Sequence, residues 1–111
     1  MSNEQLQLFC NVAIAISKTV TPVTDYISCC IAIKDNTVVA HYTDTPTTPV
    51  LINMLMHERI KDLQGCDIIC TSDHNQNGEN RFYVPFVSRE IVAVLDRYNI
   101  RLYNRNGLIS L

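Results

Sequence analysis

The stretch that most constrains this chain is YISCCIAIK at residues 26–34. Ile27, Cys29, Ile31 and Ile33 fall on one face of an extended chain, and Cys30 and Ala32 keep the opposite face apolar too. A strand with two apolar faces belongs inside a sheet, where both are covered. Asp35-Asn36 then reads as a two-residue turn, and residues 37–43 return as the second strand of a hairpin. His41 and Tyr42 mark a more polar rim.

Two amphipathic segments flank this hairpin. Ser2 followed three residues later by Gln5 has the form of a capping box, after which Leu6, Phe9, Cys10, Ala13, Ile16 and Val20 line one helical face. Leu8, Val12 and Ala15 occupy much of the other face, so the helix is apolar nearly all round until Thr21-Pro22 closes it. Such a helix is either central to its fold or covered by a partner. The second segment starts with Thr48 as N-cap and Pro49 at the first helical position, carries a buried stripe of Ile52, Leu55, Met56, Ile60 and Leu63, and stops at Gly65. Met54 lies off that stripe beside Leu51 and is a candidate contact residue.

The second half repeats the alternation. Residues 66–72 predict a third strand, and 73–80 a polar loop turned at Asn77-Gly78. In residues 81–87, Phe82, Val84 and Phe86 alternate as a strand would, with Pro85 marking an edge or an end. Ser88 caps a helix bearing Ile91, Val94, Leu95 and Tyr98, which Asn99 ends. Residues 100–103 and 108–111 flank a hairpin turn in which Gly107 supplies a positive φ. The predicted order α-β-β-α-β-β-α-β-β makes residues 1–111 a single α+β domain, an antiparallel or mixed sheet with helices packed on it.

Charge is unevenly spread. The chain of 111 residues has a net charge of −2, yet Arg81, Arg89, Arg97, Arg101 and Arg105 face only Glu90 and Asp96 in residues 81–111. A basic end on an acidic remainder can steer a polyanion, and Arg89, Arg97, Arg101 and Arg105 are the residues that would meet nucleic acid. Arg81, Phe82, Tyr83 and Phe86 also combine a cation with aromatic rings, as base-stacking strands do.

Cysteine usage argues against a disulfide framework: Cys10, Cys29, Cys30, Cys66 and Cys70 are odd in number, and most lie in apolar runs where a free thiol buries as a small hydrophobe. Cys66, Cys70 and His74 share parity, but residues four apart on a strand are separated by about 13 Å, too far for one metal ion. Nucleophilic chemistry has its residue types in His74 with Asp73 or Cys70. The three glycines are used by turns and caps, which leaves no phosphate-cradling loop, and neither cofactor nor metal is expected. No run is apolar enough to span a bilayer, and the N-terminus lacks a secretory pattern, so a cytoplasmic or otherwise intracellular place is expected.

These features rank three functions. The first is a non-enzymatic module that self-associates or binds a protein partner through Leu8, Val12 and Met54 and an open sheet edge. The second is a nucleic-acid binder using the arginines, and the third a small hydrolase-like enzyme built on His74.

Overall fold

The computed structural model describes residues 1–19, 26–43, 50–74 and 89–109, with the backbone alone at 26, 27 and 72–74. The features expected at Thr21, Pro22, Thr48, Pro49, the 75–80 loop, the 81–87 strand, Ser88 and residues 110–111 lie outside them. The described elements are α1 (Asn3–Ser17), β1 (Tyr26–Lys34), β2 (Thr37–Thr43), α2 (Val50–His57), β3 (Asp67–His74), α3 (Arg89–Arg97), β4 (Arg101–Asn104) and β5 (Gly107–Leu108). Together they make an α+β fold whose sheet has the order β2-β1-β3-β4-β5.

Local chemistry explains most element ends. Ser2 and Gln5 form the reciprocal capping box, with the Gln5 N–H donating to Ser2 Oγ at 3.1 Å and the Ser2 N–H donating to Gln5 Oε1 at 3.0 Å. Replacing Ser2 by alanine is expected to cost about 1 kcal/mol. Urea unfolding of Ser2→Ala checks this, and an unshifted midpoint would mean that packing alone sets the start of α1.

Asp35 and Asn36 both take left-handed backbone angles, φ 52° and 59°, as the two central residues of a mirror-image hairpin turn must. Asn36 also accepts a hydrogen bond from Gln5 Nε2 at 3.1 Å, which ties the turn to α1. At the end of α3, Asn99 is left-handed (φ 58°), its N–H donates to the Asp96 carbonyl, and the Ile100 N–H donates to the Leu95 carbonyl at 2.9 Å. This is the Schellman pattern, closed by apolar contact between buried Leu95 and Ile100. Gly107 (φ 130°) turns the last hairpin.

The sheet is mixed. β1 runs antiparallel to β2 and β3, whereas β3 and β4 are parallel, with Ile68 opposite Leu102. β1 is therefore interior, as its two apolar faces require. Cys29, Ile31, Ile33, Ile69 and Tyr103 point to one face and bury Leu6, Phe9, Cys10 and Ala13 of α1. Cys30, Ala32, Ile68, Cys70 and Leu102 point to the other and bury Val50, Leu51 and Met54 of α2 and Leu95 of α3. The adjacent cysteines Cys29 and Cys30 thus serve different cores.

Two sequence expectations are corrected here. Helix α2 does not run to Gly65 but ends at His57, and i+3 backbone bonds from Asp62 to Arg59 and from Cys66 to Leu63 carry the chain onward while Leu63 stays buried. Its buried arc is also rotated: Met54 is fully buried and Met56 is 69% exposed. Because Val50, Leu51, Ile52, Met54, Leu55 and Met56 surround the helix with apolar side chains, periodicity alone does not choose the inward face. Polar ties to β2 choose it instead. Asn53 Nδ2 donates to the Thr43 carbonyl at 3.3 Å, and Tyr42 Oη donates to Glu58 Oε1 at 2.8 Å.

The second correction concerns cysteine. Cys30 and Cys70 sit directly opposite one another on β1 and β3, with Cα atoms 4.3 Å apart, and are joined in a disulfide. That proximity follows from strand register, which no local reading of either cysteine contains.

Candidate functional site

The surface that the sheet leaves uncovered on α1 is the leading candidate. A helix packed on one face of a sheet buries only the arc that meets the strands. Here that arc is Leu6, Phe9, Cys10, Ala13 and Ser17, while Leu8 is 58% exposed, Ala15 is exposed and Val12 is half-buried. Asn3, Glu4, Gln7, Asn11 and Lys18 are exposed as well. Of the residues singled out as partner-binding, Leu8 and Val12 lie here. Met54 does not: it is enclosed in the core on the opposite face of the sheet, so it is withdrawn as a contact residue.

An open sheet edge adds less than expected. Among the described residues β2 is an outermost strand, but its register slips between Ala32 and Ile33, so that Val39 forms a bulge. A bulge breaks the regular row of edge donors and acceptors that a docking strand would need. The outer face of α1 is the better-formed surface.

The four arginines do not gather. Arg89 and Arg97 are exposed on α3, which packs on one face of the sheet. Arg101 shares its side of β4 with Tyr103, which packs under α1, and its Nε donates to Asp67 Oδ1 at 3.0 Å. Arg105 lies below α1 as well; its carbonyl accepts a hydrogen bond from Gln7 Nε2 at 3.3 Å. Opposite layers of the fold therefore hold the two pairs, and a single phosphate track would not touch all four.

The residues proposed for nucleophilic chemistry are also constrained. Cys70 is 4% exposed and bonded to Cys30, so its sulfur is not a thiolate in this state. Asp73 and His74 end β3, where they pair with Ile27 and Tyr26; their side chains lie outside the described residues. Burial raises the pKa of the Cys66 thiol, against the lowering effect of Lys34 and with Asp67 and Asp35 adding to the rise, and burial raises that of Cys10 against the nearby Arg105. Neutral buried thiols are poor nucleophiles. Among the described residues no three His, Cys, Asp or Glu side chains gather to hold a metal ion.

One polar cluster escaped the sequence reading. The Tyr42 hydroxyl donates to Glu58, which raises its pKa, and its ring stacks on that of His57 at 5.9 Å between centroids. His57 Nδ1 lies 2.8 Å from the Asn53 carbonyl. Tyr42 and Glu58 are sixteen positions apart, and only the packing of α2 across β2 brings them together. The cluster fastens a helix to a strand and holds the phenol in its protonated form.

A cavity of about 350 Å³ opens at the end of the sheet near Gln5, Lys34, Asp35, Asp67 and Arg101. Its charges alternate in sign, and Arg101 is already paired with Asp67. Among the described residues no helix is long and apolar enough to cross a membrane. Compared with known proteins, the chain matches no family model, no curated protein and no solved structure.

Proposed function

We propose that this chain is a non-enzymatic protein-interaction module that associates through the outer face of α1, with itself or with another protein. The exposure of Leu8, at 58%, on a helix otherwise anchored in the core carries the reading. A leucine held out on a capped, well-packed helix presents apolar area without needing any rearrangement, which keeps the entropic cost of association low. One helix face is small for an interface, so a weak, reversible dimer in the micromolar range is expected.

Replacing Leu8 by glutamate puts a charge in the middle of that face and touches nothing in the core. Sedimentation of Leu8→Glu is expected to give a monomer at concentrations where the parent dimerises, with an unchanged unfolding midpoint. Association that survives the substitution would reject α1 as the surface.

An intracellular place belongs to this reading. There the thiol pool would act to reduce the Cys30–Cys70 bond, and association through α1 draws on neither cysteine.

A further inference from the structure

We infer that the occupant of the α1 face is a second copy of this chain, docked antiparallel about a two-fold axis that passes Asn11. This rests on the reading that α1 is the associating surface and adds the partner and its orientation.

The inference comes from the order of residues along the exposed side. Glu4, Leu8, Asn11, Ala15 and Lys18 follow one another at intervals of four, three, four and three, so they form a single stripe down the helix. All five are exposed. Asn11 stands at the midpoint of the stripe, and the charge reverses across it: an acid stands seven residues before Asn11 and a base seven residues after it. An isologous interface demands a patch complementary to itself under a two-fold rotation. Rotating the stripe about Asn11 sets Glu4 of one copy against Lys18 of the other at both ends, and large Leu8 against small Ala15 on either side of the centre.

A parallel arrangement fails the same test. It would place Glu4 against Glu4 and Lys18 against Lys18, two like-charge contacts in place of two favourable ones. At the centre, Asn11 meets its own equivalent. Its amide has both a donor and an acceptor, so the two side chains can hydrogen-bond to each other, and a polar pair at the axis, between Leu8 and Ala15, fixes register and orientation. Val12 borders the stripe and adds apolar area beside the axis.

Charge reversal tests orientation separately from association. Glu4→Lys or Lys18→Glu alone should weaken dimerisation about tenfold, by replacing two attractive end contacts with repulsive ones. The double variant Glu4→Lys with Lys18→Glu should recover to within about threefold of the parent, although both changes oppose the helix dipole and lower the stability of α1. Recovery of association alongside falling thermal stability is a pattern that a purely structural role would not give.

A second variant guards against loss of folding. Asn11→Cys should form a covalent dimer under mild oxidation. Glu4→Cys should not, because the two introduced thiols would lie about 21 Å apart along the antiparallel pair. A dimer that depends on Leu8 but shows no rescue and no Asn11→Cys bridge overturns the antiparallel geometry and leaves the α1 surface standing. A dimer indifferent to Leu8, or no dimer at all, overturns both.

Discussion

Reduction of the Cys30–Cys70 disulfide is expected to lower the unfolding free energy by about 4 kcal/mol. The bond joins positions 40 residues apart, and opening it returns to the unfolded chain the conformational freedom of that loop. Both cysteines are enclosed in the core between the sheet and α2, with exposures of 0% and 4%. The native contacts therefore change little while the unfolded state gains entropy. Domains of this size have unfolding free energies of about 5 to 15 kcal/mol, so the loss is a large fraction of the total. Urea titrations with and without a thiol reductant measure it. A midpoint insensitive to reductant would mean that the bond is absent or leaves the unfolded ensemble unconstrained. Cys30→Ser with Cys70→Ser is the poorer probe, because two hydroxyls in an apolar core carry their own desolvation penalty.

The second large effect separates two methionines. Met54 is fully buried among Cys30, Val50, Leu51 and Ile68, and truncation to alanine leaves a cavity that a close-packed core cannot refill. Met54→Ala should cost about 2 to 5 kcal/mol. Met56, two residues on, is 69% exposed, and Met56→Ala should change stability by less than about 0.5 kcal/mol. Denaturant midpoints of the two variants give the comparison. Equal losses, or a larger one at Met56, would contradict the rotation of α2 described above.

That rotation marks the boundary between what is legible in the amino-acid order and what is not. Features decided within a few residues were readable: the capping box at Ser2 and Gln5, the left-handed Asp35-Asn36 turn, the Asn99 stop and Gly107. Each depends on a side chain that reaches its own backbone or on a backbone angle that few residues tolerate. The interior position of β1 was readable because two apolar faces leave a strand no other stable place.

Features decided by elements meeting across the fold were not readable. α2 is apolar around most of its circumference, so its inward face depends on Tyr42 and Thr43 of a strand several residues away. The disulfide depends on the register of β1 against β3, and the parallel pairing of β3 with β4 on how the chain crosses between them. The arginines make the same point for the surface. Arg97 and Arg101 are four positions apart, yet one lies on a helix on one side of the sheet and the other beside Tyr103 under α1. Sequence proximity suggested a patch, and topology divides it. On α1 a single helix fixes the relative placement of Leu8, Asn11 and Ala15 without help from the rest of the fold.

Sedimentation equilibrium of the whole chain from low micromolar to millimolar concentration, in low and high salt, bears most directly on this account. A reversible monomer–dimer equilibrium is expected, only a few-fold weaker in high salt because apolar contact supplies most of the free energy and the end charges the rest. A monomer throughout that range, or an assembly that dissolves completely in salt and carries nucleic acid with it, would contradict association through the α1 face.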